Sequence, residues 1–114
     1  MAKYFSEKEI VGLKDDLVYK LDIFRGALGM PVRLTETVAS GGSHVENTAH
    51  ATGLASDCTI RHPSDRRPYS LEEQFLLVWA AGIAGFNRVG IYDRHVHLDI
   101  DKTKPKAIWT GKSK

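Results

Sequence analysis

The chain has 114 residues, 42% hydrophobic and 26% charged, with a formal net charge of +2. That length accommodates one domain over residues 1–114 around a single modest core, and the near-neutral balance argues against a nucleic-acid binder. The lone cysteine, Cys58, excludes an internal disulfide, and no apolar run approaches the roughly 20 residues of a membrane-spanning helix.

Met1 to Glu9 contains neither an apolar core nor a small-residue cleavage site, so no secretory signal is visible and cytoplasmic synthesis is expected. Ser6 and Glu9 have the spacing of a capping box, which predicts the head of a first helix. Ile10, Leu13, Leu17, Leu21 and Phe24 continue it at three- and four-residue steps, and Gly29 with Pro31 stops it near residue 28. Val32 to Val38 alternates apolar and polar side chains, as a half-buried strand does. Ala39 to Ala49, rich in Gly, Ser and Asn, reads as a loop, and Leu54 to Ile60 as a second strand.

Arg61 to Tyr69 is a charged loop in which Asp65, Arg66 and Arg67 are expected to be solvated. Ser70 and Glu73 form another capping box, opening a helix through Leu76, Val78 and Ile83 to Gly85. Phe75, Trp79 and Phe86 are assigned to the core. Arg88 to Tyr92 and His95 to Ile100 are β segments around a turn at Asp93-Arg94. Lysines 102, 104, 106, 112 and 114 make a solvated basic tail. The expected fold class is α+β, a small antiparallel sheet with helices packed against it.

His50, Asp57 and His97 carry the chemistry. Two imidazoles and one carboxylate form a three-ligand zinc set with a fourth position open, the arrangement of hydrolytic rather than structural sites. Strand parity places His95, His97 and Asp99 on one face, where three polar groups buried without partners would cost several kcal/mol. A metal pocket removes that objection. The same parity puts Asp57 opposite Cys58, which is then a core residue. His44 and His62 fall in polar loops and are read as solvent-facing.

These residues resemble a family. Thr48-Ala49-His50, then Gly53-Leu54-Ala55 and Asp57, then Gly85-Phe86, then His95-Val96-His97 is similar to the pattern of the zinc D-Ala-D-Ala carboxypeptidases and phage endolysin peptidases. Their fold is shared by the Hedgehog signalling domain. The likeness runs from about Pro31 to Trp109, and Lys106 to Trp109 resembles a Trp-containing closing segment of small members. It implies that His50, Asp57 and His97 bind Zn2+ and that His95 stabilises an oxyanion. Asp99 is a candidate acceptor orienting a ligand imidazole.

Two positions depart from the pattern. Arg94 stands where many members carry an acidic base, leaving Asp93 as the candidate base and Arg94 as a candidate anion contact. Glu36-Thr37-Val38-Ala39 lacks the arginine that binds a substrate carboxylate, which favours endopeptidase over carboxypeptidase action. The expected function is zinc-dependent hydrolysis of peptidoglycan stem peptides or cross-links, after phage-type release or from a virion. The alternative is a non-catalytic zinc-containing binding or phage virion structural module.

Overall fold

Two helices cover one face of a five-stranded sheet, and among the described residues the other face carries Asp57, His97, Asp99 and Arg88 beside Trp109. The structure, a computed structural model, describes residues 2–36 and 52–112. Its elements are α1 (Asp15–Leu28), β1 (Arg33–Glu36), β2 (Ala55–Thr59), α2 (Leu71–Ala84), β3 (Arg88–Ile91), β4 (Val96–Asp99) and β5 (Ala107–Thr110). Thr37, Val38 and the expected loop Ala39 to Ala49 lie outside the described residues. No helix among those described is long and apolar enough to cross a membrane.

The first helix starts later than the sequence pattern predicts. Ser6 and Glu9 do form their reciprocal bonds, at 3.0 and 3.2 Å, but they close an isolated turn. Gly12, at φ 84°, takes a left-handed conformation that no α-helix accommodates. Lys14 then donates its backbone N–H to the Gly53 carbonyl at 3.0 Å, and α1 begins at Asp15. Gly53 is required at this approach: its own φ is 78°, and a Cβ there would overlap the Gly12 carbonyl oxygen. The second capping box behaves as expected, with Ser70 and Glu73 bonded both ways at the head of α2.

Strand order is β1-β2-β4-β3-β5. The sheet is mixed rather than purely antiparallel, because β5 runs parallel to β3. The short link after β4 explains this. Asp99 and Arg88 are paired at one end of the sheet, and residues 100–106 pass that end to start β5 opposite Arg88. Asp101 N–H bonds the Asp99 carboxylate at 2.7 Å, Asn87 Nδ2 donates to the Asp101 carbonyl at 3.0 Å, and Arg88 Nη1 to the Pro105 carbonyl at 2.8 Å.

The core lies between the sheet and the helices. Leu17, Leu21 and Phe24 of α1 and Leu77, Ala80, Ala81 and Ala84 of α2 pack on Cys58, Val89, Ile91, Val96 and Leu98. Phe86 joins them edge-on to Phe24, ring centroids 6.2 Å apart. The core assignment of Phe75 and Trp79 is wrong: they are 65% and 46% exposed. α2 instead buries its small residues, because the alanines let it sit close to α1.

Candidate functional site

Pairing registers bring the functional side chains into one row. Asp57 pairs with His97, His97 with Gly90, and Gly90 with Trp109, so β2, β4, β3 and β5 each present one residue to the face away from the helices. The neighbouring row is Ala55, Asp99, Arg88 and Ala107. Cys58 and Val96 alternate to the opposite side and enter the core, as strand parity requires. Burial, then the nearby Asp57 charge, push the Cys58 thiol well above its usual range, so it is an inert core residue.

His97 lies between two carboxylates. Its Nδ1 is 3.1 Å from Asp57 Oδ1 and its Nε2 is 3.0 Å from Asp99 Oδ2. Burial works against the charged ring, but hydrogen bonds to Asp57 and Asp99 outweigh it and raise the imidazolium to about 9. His95 Nε2 stands 3.9 Å from Asp57 Oδ2. Asp99 is almost fully buried and carries Arg88 Nε at 3.5 Å on the oxygen that meets His97.

An aromatic wall borders these groups. Trp109 tilts over His97 with ring centroids 5.4 Å apart and donates Nε1–H to the Tyr92 hydroxyl at 3.0 Å. Tyr92 stacks on His95 at 4.4 Å and 8°. Both rings lie over positions that lack a side chain. A Cβ on Gly90 would come within 2.6 Å of the Trp109 indole, and one on Gly111 would overlap the Tyr92 ring. The Arg88 guanidinium lies 5.2 Å from the Trp109 ring and closes the end of the wall.

The turn carrying His95 is anchored from below. Tyr69 N–H donates to the Asp93 carbonyl at 2.6 Å, and Thr59 Oγ1 to the Arg94 carbonyl at 2.6 Å. Thr59 also meets the Tyr69 hydroxyl at 2.9 Å. These bonds use the main chain of Asp93 and Arg94. The Asp93 carboxylate makes no hydrogen bond or ion pair with the described residues, so the structure does not join it to the cluster.

The structure thus brings together Asp57, His95, His97 and Asp99. His50 and His44 lie outside the described residues. His62 is exposed and engages Ser64 through Nδ1 at 2.8 Å, in line with a solvent-facing loop histidine. Sequence reasoning missed Arg88 behind Asp99 and the role of Tyr92. The available signal was glycine inside a strand, which marks close approach by another group.

Among the described residues no group of three or more His, Cys, Asp or Glu side chains is placed to hold a metal. The donor pair nevertheless suits zinc. Neighbouring donors on a tetrahedral zinc stand about 3.3 Å apart, given zinc–ligand distances of roughly 2.0–2.1 Å. The Asp57 and His97 atoms are already 3.1 Å apart. Asp99 on the opposite ring nitrogen fixes His97 as a metal-binding imidazole is usually fixed. No family model, curated protein or solved structure matches this chain.

Proposed function

We propose that the chain is a zinc-dependent peptidase acting on the peptide stems or cross-links of bacterial peptidoglycan, with a Hedgehog-type peptidase fold. The observation that carries the reading is the Asp57 and His97 pair, at 3.1 Å, with Asp99 behind the imidazole. His50 stands seven residues before Asp57 in the chain and would complete the ligand set. When bound, zinc supplies Lewis-acid polarisation of a carbonyl and lowers the pKa of water.

The chain's own residues divide the remaining work. Asp99 holds the His97 ring so that Nδ1 faces Asp57. His95, stacked on Tyr92, offers its Nε2 proton to the carbonyl oxygen that gains charge as the peptide bond is attacked. Trp109 and Tyr92 shield one side of the site and supply flat apolar surface for a peptide backbone. Asp93, two residues from His95 and with its carboxylate outside the cluster, is the candidate acceptor for the proton released from water, a role that requires its side chain to turn toward His95.

Digestion of purified peptidoglycan, with product masses identified, tests the reading. The wild type is expected to release defined peptide fragments, and His50→Ala to release none. His95→Ala is expected to retain zinc while losing about 10²–10³ in kcat, the usual effect of removing one oxyanion donor. A zinc-loaded wild type that leaves every wall chemotype uncut would overturn the proposal in favour of a binding or virion structural module.

A further inference from the structure

We infer that the outward face of α2 is a self-association surface, pairing antiparallel with α2 of a second copy. Leu71, Phe75, Trp79 and Ile83 recur every four residues and are 82%, 65%, 46% and 57% exposed. At 100° per residue they lie opposite the buried Leu77, Ala80, Ala81 and Ala84. Phe75 to Ala84 contains no charged residue, so this part of α2 is apolar on every side, a composition that belongs to a buried helix. The four side chains expose roughly 400–500 Å² together, the greater part of the ~800 Å² that each partner contributes to a stable interface.

Charge complementarity selects a second copy as the occupant. The charged side chains of α2, Glu72 and Glu73, are both in its first turn, and Arg61 engages Glu73. At the opposite end, Lys20 of α1 brings its Nζ within 3.2 Å of where a Gly85 Cβ would stand. An antiparallel two-fold arrangement sets Leu71 against the partner's Ile83 and Phe75 against the partner's Trp79. It also brings Glu72 of each copy to the Lys20 end of the other, twice by symmetry. Gly82, with nothing within 4 Å of its Cβ position, leaves room beside Glu72 for that approach. The candidate site lies on the far face of the sheet, away from this contact.

Sedimentation equilibrium on the full chain from 1 to 200 µM provides the test. A monomer–dimer equilibrium is expected, weakened at least tenfold by Trp79→Glu with an unchanged circular dichroism spectrum. Lys20→Glu and Glu72→Lys should each weaken it, and the double exchange should restore it. A wild type that stays monomeric throughout overturns the inference, and so does a monomer that instead cosediments with lipid vesicles. Dimerisation insensitive to both Trp79→Glu and the charge exchanges would also reject α2 as the contact.

Discussion

Asp99 is an ionisable side chain with almost no exposure, and it remains tolerable there because donors converge on it. His97 Nε2 and the Asp101 N–H bond it at 3.0 and 2.7 Å, and the Arg88 guanidinium adds a positive charge at 3.5 Å without a hydrogen bond from its Nε. Asp99→Asn keeps the shape but removes the charge that orients the His97 ring. It should lower zinc affinity by about 10–100-fold, read by competition with a chromophoric chelator, and unchanged affinity would show that Asp99 does not position the ligand. At this scale the sequence was informative. Period-two alternation placed His95, His97 and Asp99 on one face and Cys58 in the core, since parity is a property of the strand alone. Arg88 was not legible, because its partnership with Asp99 depends on which strands become neighbours.

Among the elements, α2 and the loop before it are joined by one arginine. Arg61 forks onto both Glu73 oxygens at 2.7 Å and donates to the carbonyls of Arg67 and Pro68 at 3.0 and 2.9 Å. Burial would raise the Glu73 carboxyl, but hydrogen bonds from Arg61 and Ser70 outweigh it and hold it below the ordinary value. A carboxyl depressed in the folded state contributes stability above its unfolded value, near 4.5, and loses it as pH falls through the folded value. Urea midpoints for wild type and Glu73→Gln should therefore differ at pH 6 and converge as pH falls below about 4.5. A difference that persists at pH 2.5 would mean the charge is irrelevant. Arg61→Ala should cost about 2–4 kcal/mol at pH 7, since it also leaves two carbonyls without their donors.

The elements differ in how far sequence rules reach. The Ser70 box and the stops at Gly29 and Gly85 behaved as local rules predict. The Ser6 box did not start a helix, because Gly12 takes a left-handed φ where its carbonyl meets Gly53, a contact distant in sequence. Phe75 and Trp79 look like core residues by hydrophobicity, yet α2 turns its alanines inward to approach α1.

At the scale of the whole molecule, zinc binding to the folded chain alone should couple to stability. A hundredfold excess of free zinc over Kd should add about 2.7 kcal/mol, seen as a rise in Tm that chelator reverses and His50→Ala abolishes. Equal Tm values with and without zinc would remove the metal from the fold's energetics. The sequence by itself determined the α+β class, most strand positions and the shared face of His95, His97 and Asp99, since these follow from periodicity and spacing along one chain. Only the tertiary structure decided that β5 runs parallel to β3 and that Asp57, His97, Gly90 and Trp109 form one row. It also decided which side of α2 is left uncovered. Each of these depends on packing between segments far apart in sequence, which local periodicity does not encode.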